Sequence, residues 1–337
     1  MRETTNVKKF VNDPRQFVPE MLEGIWLASA GRLKYEPKYN LVYRSDMPQE
    51  AKVSIFQGSG SGHEPAHTML VGKGMLDAAC CGDVFAGPPV EFVYETSKLL
   101  NSPKGILHIV NNYTGDRLAF EQGREMCEMD GMRVETLLVN DDVAVKDSTW
   151  TVGRRGVAGN FFVIKAVGAA SEKGADLDEL VRIGNKVIAN VRTLGIALSS
   201  CTPPVKGTPL FEIAEDEMEV GIGIHGEPGR QRTKLVSANE IVNIMLNAIL
   251  PDLPFESGNE VAVMINGLGG TPVGELYLLY GITHKKLEAA GIKVFRSYVN
   301  EYCTSLEMAG ASLTLLKVDD ELTALLSEPA EASIRVF

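Results

Sequence analysis

The chain has 337 residues, 45% of them hydrophobic and 23% charged, and carries a formal net charge of −11. This length exceeds a usual single core and predicts two domains, while the acidic balance excludes a broad positive field for nucleic acid or an anionic membrane. Five cysteines without paired metal-ligand spacing read as reduced thiols with no disulfide and no zinc, and a polar start with no run of ~18 apolar residues reads as a cytoplasmic, soluble chain.

In chain order, residues 14–35 read as a helix with Phe17, Met21, Leu22, Ile25 and Trp26 on one face, followed by an irregular segment over 37–48. Val53–Phe56 reads as a strand feeding Gly58-Ser59-Gly60-Ser61-Gly62-His63-Glu64-Pro65. Glycines at alternate positions can take φ > 0 and uncover backbone N–H groups for a small polar ligand; equally, they can serve a tight turn that packs closely. A second stretch, Gly221 to Gly229, repeats the grammar of glycines, one histidine and Glu-Pro. After a glycine-punctuated loop region over 66–86, the spacing predicts a helix over 90–100, a strand over 105–110 with an exit loop Asn111–Asp116, a helix over 118–129, and a strand over 133–139 leaving through Asn140-Asp141-Asp142. Ligands of open α/β sheets sit beyond the carboxyl ends of the strands, so His63, Asp116 and Asp141/Asp142 are expected to share one crevice.

Asp176 and Glu179 make a helix start, with Leu177, Leu180, Val187, Val191 and Leu194 on one face and Gly195 as its end, which sets domains at 1–195 and 196–337. The second half reads as a strand over 217–224, a helix from Ser237, a strand over 261–265, a glycine loop over 267–272, a helix to about residue 290, and strands over 292–299 and 312–318. The expected fold class is α/β, with two domains that each hold a mixed or mostly parallel sheet flanked by helices.

Gly221-x-Gly223-x-x-Gly226 formally matches a dinucleotide fingerprint, but Glu227-Pro228-Gly229 stops the helix that the third glycine must open. No phosphate-cradling Gly-x-x-x-x-Gly-Lys-Ser/Thr occurs either, so the nucleotide of a kinase would lie elsewhere. His225 can offer an unprotonated ring nitrogen to a ketone if a neighbouring acceptor fixes the other nitrogen's proton, or can be a hydrogen-bonded loop histidine. Asp116 can accept a hydroxyl proton, with His63 sharing that role, or can be a helix cap. Arg154-Arg155 reads as a phosphate contact or an exposed basic pair, and Cys80-Cys81 as buried packing.

Taken together these segments resemble the substrate-binding DhaK-type subunit of dihydroxyacetone kinases. The resemblance runs through nearly the whole chain, in Gly60-Ser61-Gly62-His63-Glu64-Pro65-Ala66-His67, Cys81-Gly82-Asp83-Val84-Phe85-Ala86, Asn112-Tyr113-Thr114-Gly115-Asp116, Gly153-Arg154-Arg155-Gly156-Val157-Ala158-Gly159, Gly223-Ile224-His225-Gly226-Glu227-Pro228-Gly229 and Thr304-Ser305-Leu306-Glu307-Met308-Ala309-Gly310. It implies that His225 forms a covalent hemiaminal with the carbonyl carbon of a short-chain ketose, that His63 and Asp116 activate the hydroxyl receiving phosphate, and that Gly60, Ser61, Gly62 and Asn111 line the pocket. It implies a homodimer, with no cofactor on this chain: ADP or ATP with Mg is expected on a DhaL-type helical partner subunit. The chain departs from the family pattern at Asn111, where relatives carry lysine, at Ala311, where a bulky aromatic is common, and at Ser59, a frequent glycine. These departures predict an altered, larger pocket suited to a ketose such as erythrulose rather than dihydroxyacetone. The rival reading is a non-catalytic ketose-sensing coactivator of a transcription regulator on the same fold, and a dinucleotide oxidoreductase fails on the Glu-Pro-Gly break.

Overall fold

Two six-stranded sheets organise the chain in the computed structural model, which describes residues 8–145, 153–334 and 336. Helix α1 (Phe17–Ala28) turns Val18 and Leu22 into the core and stops well short of residue 35. A hairpin follows: β1 (Leu33–Glu36) takes the end of the stretch read as helix, and β2 (Leu41–Arg44) lies in the segment read as irregular. Next come β3 (Ser54–Ser61), β4 (Ala78–Val84), α2 (Val90–Leu100), β5 (Ile106–Asn111), α3 (Thr114–Met129) and β6 (Val134–Val139). The first sheet runs β1-β2-β4-β3-β5-β6, parallel from β4 to β6 and antiparallel at its β1–β2 edge. Strand β4, expected as loop, is small residues buried on both faces at Ala78-Ala79-Cys80-Cys81, which leaves no alternation to read.

The remaining elements are α4 (Asn160–Glu172), α5 (Leu177–Asn190), β7 (Val191–Ala197), β8 (Glu217–Val220), β9 (Gln231–Lys234), α6 (Ala238–Ile249), β10 (Glu260–Gly267), α7 (Val273–Ala289), β11 (Lys293–Asn300), β12 (Gly310–Val318) and α8 (Asp320–Ser327). They build a sheet ordered β11-β10-β12-β7-β8-β9, in which only β10 and β11 run parallel. The caps read from sequence are in place: the Glu179 N–H donates to Asp176 at 2.9 Å and the Glu240 N–H to Ser237 at 3.4 Å. Helix α5, however, ends at Asn190. Val191 to Ala197 is strand, and Gly195, read as a helix stop, lies opposite Ser312 of β12. The line between residues 195 and 196 therefore crosses β7, all of which belongs to the second sheet. Among the described residues no helix is long and apolar enough to cross a membrane.

The layer between the halves is α4. Every residue from Asn160 to Ser171 is buried, so the helix has no polar stripe and no amphipathic signature. Its one long cation, Lys165, donates to the Leu325 and Glu328 carbonyls at 3.1 and 2.8 Å, closing the end of α8. At its far end Glu172 joins a buried ion network: Arg44 and Lys52 both donate to Asp77, at 2.7 and 2.8 Å, and Lys52 also donates to Glu172 at 2.8 Å. Packing is tight enough that a Cβ at Gly168 would sit 2.6 Å from the Gly74 carbonyl oxygen and 2.7 Å from that of Met75. Backbone on both sides leaves little room to relax. Gly168→Ala is accordingly expected to destabilise the fold by about 2–3 kcal/mol, read as a lowered urea midpoint at unchanged slope.

Candidate active site where the two halves meet

Strand β3 carries the site. Gly58-Ser59-Gly60-Ser61 continues it in extended conformation, and of the run's glycines only Gly62 is left-handed, with φ 94°. The alternate glycines are there for close approach: a Cβ at Gly60 would lie 2.7 Å from the Ala86 nitrogen and 2.9 Å from the Phe85 Cα. Immediately beyond, His63 is fully buried, and its Nδ1 lies 2.9 Å from the Thr304 carbonyl oxygen. A carbonyl only accepts, so Nδ1 holds the proton and Nε2 keeps its lone pair, with no partner among the described residues. Burial, followed by the proximity of His225, drives the His63 pKa well below 6.5 and keeps the ring neutral.

Thr304 comes from the second half. Its N–H donates to the His63 carbonyl at 3.1 Å and the Leu306 N–H to that of Gly62 at 2.8 Å, so residues 304–306 lie alongside 62–64. Phe85 stacks on the His63 ring with centroids 5.2 Å apart. Both Phe85 and Leu306 adopt left-handed φ, 62° and 52°, an uncommon conformation for bulky residues that marks this junction.

His225 arrives from the turn after β8. Its Nδ1–H donates to Glu227 Oε1 at 2.8 Å, and its backbone N–H to Oε2 at 3.0 Å, which again leaves Nε2 as the free lone pair. Burial works against protonation of this ring, but the adjacent Glu227 carboxylate prevails and raises its pKa above 6.5. Burial likewise opposes the charge on Glu227, yet His225 and then Arg155 hold its pKa down at about 2. The two imidazoles meet edge to face with centroids 4.7 Å apart, and Tyr113 packs on His225 at 4.5 Å. The turn leads into β9 and not into a helix, which removes the dinucleotide fingerprint.

Asp116 is not in a loop, because α3 begins at Thr114 and places it in the first turn, where a helix favours an anion. It is buried, accepts from the Ser59 hydroxyl at 2.9 Å through Oδ2, and leaves Oδ1 without a partner among the described residues. Burial pushes its pKa up to about 7, against the pull of His225 and Ser59. The combination of a neutral imidazole, a nucleophilic imidazole and a carboxylate that ionises near neutrality is suited to capturing a carbonyl and deprotonating an alcohol.

The side chains of the other candidates are held by neighbouring groups. Asn111 lies buried in β5 and accepts from Gln57 Nε2 at 3.3 Å, while the Ser61 hydroxyl donates to the Gly82 carbonyl at 2.9 Å. Asp141 and Asp142 do not enter the crevice: Asp141 accepts from the Val157 and Gly159 N–H groups at 2.8 and 2.7 Å beside the start of α4, and Asp142 pairs with Arg155 at 2.6 Å. Arg154 and Arg155 are not an exposed pair, since Arg154 is bound by Asp252 at 2.6 Å and Arg155 is buried. Cys80 and Cys81 are buried and free. Ala311 lies under α6 and α7, lining a cavity of about 240 Å³ with Ile196, Met245 and Leu279, so the small residue enlarges that space and not the crevice around His225. Glu227 as the acceptor, and Tyr113, Phe85 and Thr304 around the two rings, are not legible in the motifs. Glu227, two residues from His225, is the one of these with a local signal.

The Dak1 domain model matches residues 23–334. A curated relative from Listeria innocua, "PTS-dependent dihydroxyacetone kinase 1, dihydroxyacetone-binding subunit DhaK", is 46% identical over 315 residues, covering 94% of this chain and 95% of that protein. The solved dihydroxyacetone kinase of C. freundii superposes with a TM-score of 0.88 at 34% identity, covering 97% of this chain and 60% of that one. The solved dihydroxyacetone kinase operon co-activator Dha-DhaQ does so with a TM-score of 0.89 at 33% identity, covering 94% and 97%.

Proposed function

The chain belongs to the Dak1 domain family, and from that premise we propose that it is the ketose-binding subunit of a dihydroxyacetone-type kinase, a phosphotransferase acting on an alcohol. The observation that carries the reading is the meeting of His225, oriented by Glu227, with His63, near enough to Asp116 for the two charges to act on each other, one Asp116 oxygen being unengaged. Nε2 of His225 attacks the ketose carbonyl carbon, the carbonyl π pair moves to oxygen, and that oxygen takes up a proton to give a hemiaminal. Glu227 balances the positive charge on the alkylated ring through the Nδ1–H bond, or receives that proton. A compound lacking a carbonyl, such as glycerol, cannot be held this way. At the other end of the ketose the single hydroxyl proton lies between His63 Nε2 and Asp116 Oδ1, both acceptors, and passes to Asp116 as the new P–O bond forms and the bond to the donor breaks.

The donor's nucleotide and magnesium are carried by a DhaL-type helical partner, and a second copy of this chain completes a homodimer in the cytoplasm. Gly60, Ser61, Gly62 and Asn111 line the ketose site, through main chain at the first three. Dihydroxyacetone and erythrulose are the substrates to compare, because Asn111 brings no charge where relatives carry lysine.

The second reading, a ketose-sensing co-activator, is favoured by the likeness to the operon co-activator. A sensor needs the tether but has no use for a base. The test pairs the chain with a DhaL-type subunit and its phosphoryl donor, and follows phosphate transfer to each ketose by 31P NMR. Transfer is expected, and His63→Ala should lower turnover about 10²–10³-fold while ketose capture persists. Capture without transfer in the native protein, across partners that phosphorylate with other subunits of this family, would favour the sensor instead.

A further inference from the structure

Arg155 is the largest fully buried side chain among the described residues, and it stands apart from the residues that touch the ketose in the reading above. Its Nε and Nη2 both reach Asp142 Oδ2, at 2.7 and 2.6 Å, while Nη2 also donates to the Gly221 carbonyl at 2.7 Å and Nη1 to that of Pro228 at 3.5 Å. Gly221 and Pro228 bracket the turn that carries His225. Asp142 follows β6 of the first half and is itself fixed, since its Oδ1 accepts from the Ala144 N–H at 2.8 Å and its N–H donates to the Arg155 carbonyl at 3.1 Å. One planar guanidinium thus joins both ends of the His225 turn to the opposite half, which a point-charge ammonium has no geometry to do.

Glu227 and Arg155 also crowd one face of Gly223: a Cβ there would lie 2.0 Å from Glu227 Oε2 and 2.7 Å from Arg155 Nη1. The guanidinium and the carboxylate are therefore close neighbours across a residue with no side chain. We infer that Arg155 is a positioning residue for the ketose-capturing histidine, setting the width of the 221–228 turn so that Glu227 stays against the imidazole. This rests on the functional reading above for its consequence, though not for its geometry.

The charge of Arg155 has a second effect. His225 is faced by Glu227 of its own turn, by Asp116 from α3, by His63 and His67 from the segment after β3, by Tyr113 and by Arg155. Glu227 and Asp116 raise its pKa; Arg155 lowers it and so favours the neutral, nucleophilic ring.

The test uses the full chain with Arg155→Met, Arg155→Lys and the double variant Arg155→Gln/Asp142→Asn, which removes the Asp142 charge together with that of its partner should the single variant fail to fold. Two readouts are taken: the 15N NMR titration of the His225 ring without ketose, and the binding of dihydroxyacetone labelled at its carbonyl carbon. Arg155→Met should move the ring titration upward by about 0.5–1 pH unit and weaken capture about tenfold or more, with the acid limb of capture moving to higher pH. Arg155→Lys should restore the titration but only part of the capture. The double variant should show a smaller upward shift with capture still weakened. An unmoved titration and undiminished capture in the folded variants overturn the proposal. If the native protein captures no ketose, the functional reading fails, and the ring titration still decides on Arg155.

Discussion

Replacing His225 by alanine is expected to abolish ketose capture and to lower phosphoryl transfer by about 10³-fold or more, because the tether supplies the orientation that makes transfer to a three-carbon substrate efficient. The side chain is partly exposed, at 16%, on a turn whose backbone is held by Arg155 and by Gly229 N–H donation to Glu219, so the alanine variant should fold. With ketose labelled at the carbonyl carbon, the native protein should convert the trigonal 13C resonance to a tetrahedral one, and the variant should leave it unchanged. Undiminished capture by the variant would refute covalent binding at this position. Glycerol, which has no carbonyl, should give no adduct with either protein.

Asp116→Asn is expected to cost about 10²–10⁴ in turnover, the range of a lost general base, with capture nearly intact. The side chains are close in size, and Ser59 can still donate to the amide oxygen, so the loss would report chemistry and not packing. The pH dependence separates the two ionisations. Asp116 must be deprotonated to accept the hydroxyl proton, and its pKa lies at about 7. His225 must be neutral to attack, and its pKa lies above 6.5. Both requirements fail in the same direction, so native turnover should fall as pH drops through the neutral range, with apparent values that belong to the pair. In Asp116→Asn the remaining acid limb should follow His225 alone, and a limb unchanged in shape and position would remove Asp116 from the role of base.

What was legible in the sequence is what local chemistry writes. Helix α2 was found at its true bounds, Val90–Leu100, because its apolar spacing is regular and Pro89 precedes it. Asp176 and Ser237 named the starts of α5 and α6 for the same reason: a side-chain oxygen three residues before the N–H it accepts is a short-range signal. Helix α4 leaves no such signal, because burial all round erases the amphipathic period. The end of α5 is not legible locally, because Val191 and Leu194 suit either element, and their pairing with Leu316 and Leu313 of a distant strand decides it. At the site, the family resemblance named His63, Asp116 and His225, but the partners that tune them lie far off in sequence. Thr304 is 241 residues from His63, and Gly221 is 66 from Arg155. Ser59, noticed only as a replaced glycine, proved to be the hydrogen-bond donor to Asp116.

The proton on His63 is placed by a carbonyl that belongs to the other half of the chain. Neither half is therefore interchangeable on its own. A chimera that grafts the first half of one relative onto the second half of another would have to preserve the 62–64 and 304–306 main-chain seam to sub-ångström accuracy, or the ring would lose the tautomer that its task requires. A crossover anywhere between residues 64 and 304 takes the two sides of the seam from different parents, so tolerated crossovers should concentrate before residue 62 or after residue 306.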